Sequence, residues 1–178
     1  MRLLILALLT ALNLTPAFAD PVASDVAAAV QGRIDTFDVM VAKGDLAGTI
    51  AFTPPTLLAF MATSFGMAPD AMRKQMRDTL AATQGQVTFD SFTMDLSSAE
   101  QATTPDGARV YVMIPTEIIM SVTGAGKVKS VSKTLALQED GTWYLISIAD
   151  ANQATMIQGA YPEFADVDLP AGTITAVK

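Results

Sequence analysis

Two periodicities divide the chain. From Ser24 to Ala82 apolar positions recur every three or four residues, and from Gln86 to Ile148 they alternate. The first repeat belongs to helices with one buried stripe, the second to strands with one buried face. Val30, Ile34, Phe37 and Val41 predict a first helix over about residues 24–43, with Asp25 and Lys43 placed to suit the helix dipole and Gly44 as its stop. Gly32 lies within it and weakens it by about 1 kcal/mol relative to alanine. Residues 44–53 read as a connector. Pro54 and Pro55 suit the first turn of a second helix, where a missing amide hydrogen costs little. Leu57, Leu58, Met61 and Phe65 form its apolar side and Gly66 ends it. A third helix opens at Pro69 and Asp70 and runs to about residue 82, burying Met72, Met76 and Leu80.

In the alternating half, Val87 and Phe89 share one parity while Phe92, Met94 and Leu96 take the other. This phase slip at Asp90 and Ser91 predicts a β-bulge that bends the sheet. A short strand over residues 100–103 and the turn Thr104-Pro105-Asp106-Gly107 lead into a long strand from about residue 108 to 120. Pro115 cannot donate into a ladder, so it predicts an edge, a bulge or a break at that point. Gly124 to Lys127 read as a loop, residues 129–138 as a strand, Glu139-Asp140-Gly141 as a tight hairpin and residues 142–148 as a strand. Residues 151–157 read as one helical turn or more, and Tyr161 to Phe164 as a short packed cap. Residues 171–178 are expected to fray as a disordered tail. The fold class is therefore α+β: N-terminal helices cover one face of a curved, cone-like antiparallel sheet of four to five strands.

The first nineteen residues have a different character. Arg2 precedes the apolar run Leu3 to Leu12, and Pro16 breaks the segment ahead of Ala17, Phe18 and Ala19. That is the layout of a cleavable signal over residues 1–19, with Asp20 as the mature start, and the run is too short to span a bilayer. A periplasmic or secreted location follows as an expectation, with no membrane span after cleavage. No cysteine stands at the boundary, so lipid acylation there is excluded, and a chain without cysteine folds without disulfides. Residues 20–170 are long enough for one domain with a sizeable core. The net charge of −7 becomes one more negative when Arg2 leaves, and such a surface repels phosphate backbones. The one tight basic cluster, Arg73, Lys74 and Arg77, shares its helix with Asp70 and Asp78 and reads as a solvated face, so no nucleic-acid partner is expected.

The element order, the bend near Asp90 and the late hairpin Asp140-Gly141-Thr142-Trp143-Tyr144-Leu145 resemble the nuclear transport factor 2-like superfamily, the curved cone that also holds SnoaL-like cyclases and ketosteroid isomerases. The resemblance covers about residues 26–148. It implies a ligand cavity between the concave sheet face and the helices, and it is compatible with a homodimer through the sheet face. Such folds serve enzymes, small-molecule binders and protein-binding domains alike. Isomerase-like members rely on a paired tyrosine and carboxylic acid and others on His-Asp pairs; no such constellation aligns here, and no catalytic residue is carried over.

With neither histidine nor cysteine in the chain, thiol nucleophiles, Ser-His-Asp triads and imidazole metal ligands are excluded. Met72 and Met76 lie one helical turn apart, a spacing that soft thioether ligation of copper could use, but it is also that of a buried helix face. No metal and no cofactor are expected. Glu117, in the run Ile114 to Met120, would have a raised pKa if it faced an apolar cavity. Tyr111 and Met113 share its parity and, together with Trp143 of the closing strand, complete the set of candidate ligand-binding residues. The leading expectation is an exported, non-enzymatic module that binds a small apolar molecule or a protein partner. The alternatives are an acid-base isomerase, cyclase or hydratase using Glu117 and Tyr111, and a purely structural dimer.

Overall fold

The helical stripe read from Val30, Ile34 and Phe37 becomes α1 (Ser24–Ala42), with Val30 and Ile34 fully inside. Among residues 20–177, which the computed structural model describes, α1 is followed by α2 (Pro55–Ser64) and α3 (Pro69–Ala82), each with a proline in its first turn. The predicted signal segment lies outside the described residues. Between α1 and α2 the connector is not plain loop. A 3-10 turn, Gly48–Phe52, buries Ile50 and Phe52, and a single turn is too short to leave a periodic trace. Met72 of α3 packs on Leu58 and Ala62 of α2, so it fills a small core.

Among the described residues, seven antiparallel strands make one curled sheet: β1 (Asp20–Pro21), β2 (Val87–Met94), β3 (Glu100–Thr103), β4 (Val110–Val122), β5 (Gly126–Glu139), β6 (Thr142–Ile148) and β7 (Thr173–Ala176). Its spine is β1-β3-β4-β5-β6. One edge of β4 is shared, with β3 pairing to Val110–Met113 and β2 to Thr116–Val122. Pro115 falls in the gap between them, while its pairing with Lys133 of β5 keeps that ladder in step. The expected bulge lies between Phe89 and Ser91. It absorbs the phase slip, so that Phe89, Phe92 and Met94 share a face, opposite Met120, Ile118 and Thr116. Asp140 (φ 46°) and Gly141 (φ 77°) form the two-residue hairpin, whose left-handed conformation suits the twist of β5 and β6.

After β6 the chain forms α4 (Ala151–Ala160), capped by Asp150, whose carboxylate accepts from the Asn152 and Gln153 amides at 2.8 and 3.0 Å. A 3-10 turn, Pro162–Phe164, is the expected short cap. The tail that was expected to fray instead supplies β7, which pairs with Val128–Val131 along the β5 edge that β6 leaves free. Helices were also expected on one face, yet both faces of the sheet are packed. On one, Val30, Ile34 and Phe52 meet Val112, Ile114, Ala136, Trp143 and Leu145. On the other, Leu57 of α2 joins Ile157, Tyr161 and Phe164 over Tyr111, Met113, Leu135 and Leu137.

Candidate functional site

On the α1 face the packing is incomplete. Toward β3 the inward row Val112, Ala136 and Leu145 is filled by α1 and Phe52. Further along β4 and β5 the inward positions carry small hydroxyl residues, Thr116, Ser130, Ser132 and Thr134, all buried. Short side chains beneath a layer of phenylalanines leave space, here a cavity of about 250 Å³. Phe37 and Val41 of α1 wall one side, Phe89 and Phe92 of β2 another, and Leu80 of α3 adds to the lining. The aromatic wall is held by its own contacts: Phe37 stands edge-on to Phe52 at 5.0 Å and tilts against Phe92 at 5.2 Å. The β2 bulge is what turns Phe89 inward beside Phe92.

The cavity floor is Thr116, Thr134 and Ser147. Thr116 Oγ1 donates to the Ile114 carbonyl at 3.1 Å and lies 2.7 Å from Thr134 Oγ1, both hydroxyls being buried. Ser132, directly across from Thr116 in the ladder, has a buried hydroxyl with no hydrogen-bond partner and does not reach the lining. Ser147 is exposed at the rim. Among the described residues, none of the lining side chains is ionisable.

The four candidate residues do not form one site. Cross-strand pairing aligns Tyr111 with Leu137 and Leu137 with Tyr144, so Trp143, one residue earlier, points to the opposite face. Trp143 is buried in the α1-side cluster, whereas Tyr111 and Met113 lie under Phe164 on the other side, with the Tyr111 and Phe164 rings 5.1 Å apart. Tyr111 and Met113 border a groove of about 550 Å³ that also takes Glu100, Lys133, Asp166 and Asp168. Burial, and then the Glu100 charge, push the Tyr111 hydroxyl above its ordinary range. That groove is larger than the α1-side cavity, but its walls are mixed charges, with Lys133 and Glu100 already 3.8 Å apart. Glu117 keeps the parity of Tyr111 but is no part of the cluster that Tyr111 and Met113 join. Its side chain is 45% exposed and pairs with Lys129 at 2.8 Å.

A tyrosine–carboxylate pair does exist, away from the cavity. Tyr161 donates to Glu139, whose other oxygen accepts from the Thr56 amide at 3.3 Å. Arg109 stacks over the Tyr161 ring at 5.2 Å and donates to Glu163 at 2.8 Å. Burial first, and the Glu139 hydrogen bond second, push the Tyr161 hydroxyl far above its ordinary range. The network ties α2, the β5–β6 hairpin and the end of α4 together. Neither Tyr161 nor Glu139 lines the cavity.

Sequence reasoning named Phe37, Phe89 and Phe92 only as face residues and passed over Thr116, Thr134 and Ser147. The available signal was the alternation Ser130, Ser132, Thr134 along one face of β5, a row too small to fill a core. Compared with protein-family models, curated proteins and solved structures, the chain matches none.

Proposed function

We propose that this chain is an exported, non-enzymatic binding module, a cone of the nuclear transport factor 2-like kind, that holds one small apolar molecule between α1 and the sheet. The observation that carries this reading is the phenylalanine-walled cavity, in whose lining no ionisable side chain stands among the described residues. A charged ligand would lose its hydration there and gain no counter-charge. An apolar one gains roughly 25 cal/mol for each Å² it removes from water. A cavity of 150 Å³ accommodates benzene, so by scaling, the space here suits roughly ten non-hydrogen atoms. Glu117, the carboxylate on which the acid-base alternative relied, lies on the other face from the cavity, half-exposed and paired with Lys129. Export is proposed from residues 1–19, the charged, apolar and small-residue sequence at the start of the chain.

Native mass spectrometry of the chain purified from the extracytoplasmic fraction of its own cells tests the reading. A bound mass in the range of about ten heavy atoms, released on denaturation, supports it. A chain that carries no such mass and takes up no neutral apolar compound on titration refutes it. The same spectrum reads the oligomeric state, and a mature mass that begins at Asp20 tests the export signal.

A further inference from the structure

Resting on that binding reading, we infer that the ligand is a neutral alcohol, a compound whose apolar body fills the cavity and whose O–H donates to Thr134 Oγ1. The argument is an account of hydrogens. A threonine hydroxyl has one hydrogen and two lone pairs, and a carbonyl oxygen only accepts. Thr116 gives its hydrogen to the Ile114 carbonyl at 3.1 Å. With the Thr116 hydrogen on that carbonyl, we assign the 2.7 Å contact between Thr116 and Thr134, which either hydroxyl could donate, to Thr134 as donor. On that assignment both hydrogens are spent within the protein, and what the Thr134 hydroxyl can offer a ligand in the cavity Thr134 lines is acceptor capacity alone.

This polarity sorts ligands that share one apolar body. An alcohol completes the chain from its own O–H through Thr134 and Thr116 to Ile114. A ketone or ester brings oxygen lone pairs against an oxygen lone pair, and a carboxylate adds a charge that no lysine or arginine in the lining offsets. Ser147 sits at the exposed rim, where its hydroxyl turns to either role and water competes with it, so it does not discriminate. The unpartnered Ser132 hydroxyl does not reach the lining.

The test is an amide NMR titration of the whole mature chain with octan-1-ol, octan-2-one and octanoate, which share the alkyl chain and differ at the head. Octan-1-ol is expected to bind about three- to tenfold more tightly than octan-2-one, the worth of one net hydrogen bond, with octanoate weaker still. T134V should abolish the preference for the alcohol by weakening the alcohol alone, and T134S should keep it. T116V provides an independent reading. It frees the Thr134 hydrogen to face the cavity, and the preference should move toward the ketone. Equal or tighter binding of the ketone to the natural chain overturns the inference, as does a preference that T134V and T116V both leave unchanged. If none of the three compounds shifts the amides of Thr116, Ile118 and Thr134, the cavity itself is not a binding site, and the failure lies with the proposed function instead.

Discussion

Replacing Tyr161 by phenylalanine removes one oxygen from a fully buried ring and leaves its packing on Phe164 and the Arg109 stack in place. What is lost is the hydrogen bond to Glu139, a bond to a carboxylate and so worth about 1.5–3 kcal/mol. A loss near 2 kcal/mol at pH 8 lowers Tm by about 4–8 °C in a domain of this size. The pH dependence carries the sharper expectation. Folded Tyr161 keeps its proton well above pH 10, whereas the unfolded chain releases it near 10.0. Above pH 10 the unfolded state therefore binds fewer protons, and Tyr161's contribution declines as pH rises. At pH 11 the decline is about 1.4 kcal/mol, so the gap between the natural chain and Y161F should shrink from about 2 to about 0.6 kcal/mol. Urea unfolding at pH 8 and pH 11, followed by far-UV circular dichroism, measures both gaps. A gap that stays constant between the two pH values would refute the burial argument, and the absence of any gap at pH 8 would refute the hydrogen bond.

Phe52→Ala should cost about 3–5 kcal/mol, because the ring is buried between Phe37 and the Arg33 guanidinium and its loss opens the cavity wall; a loss below about 1 kcal/mol in urea unfolding would contradict that packing. Ser132→Ala removes a hydroxyl that has no partner, so stability should hold or rise by up to about 1 kcal/mol, and a clear loss would mean the hydroxyl is bonded. Gly172→Ala should release β7, since a Cβ there would come within 2.8 Å of both the Val131 carbonyl oxygen and the Ser132 Cβ. Hydrogen exchange at the β5 and β7 amides should accelerate, and unchanged protection would show that the crossing can shift to make room.

Most of the framework was legible because its signals are local. Pro55 and Pro69 at helix starts, the phase slip at Asp90 and the Asp140-Gly141 turn each act within a few residues. The parts missed depend on partners distant in sequence. β7 is four residues, Thr-Ile-Thr-Ala, whose only reason to be a strand is the edge of β5 that β6 does not reach. Alternation also does not say which face of a strand is covered, or by what. That ambiguity put Tyr111, Glu117 and Trp143 into one imagined site, when register sends Trp143 to the other side and Glu117 stays half-exposed, paired with Lys129. The cavity was hidden for a related reason. A void is set by what α1 and β2 fail to fill, and Thr116 and Thr134 signal it only once their row is known to lie beneath Phe37 and Phe92.

The proline in β4 has a consequence for how the sheet finds its alignment. Sliding β2 along β4 by two residues would keep every side chain on its proper face, so hydrophobicity alone does not forbid it. Toward β3 Pro115 opposes it, because such a slide would set β2 against the one position of β4 without an amide to give, where the present arrangement places the Asp95 amide on the Pro115 carbonyl. The bulge at Phe89 and Ser91 is a second fixed mark on the other strand. Together they mark, like notches on a rule, the alignment of β2 on β4 that turns Phe89 and Phe92 to wall the cavity.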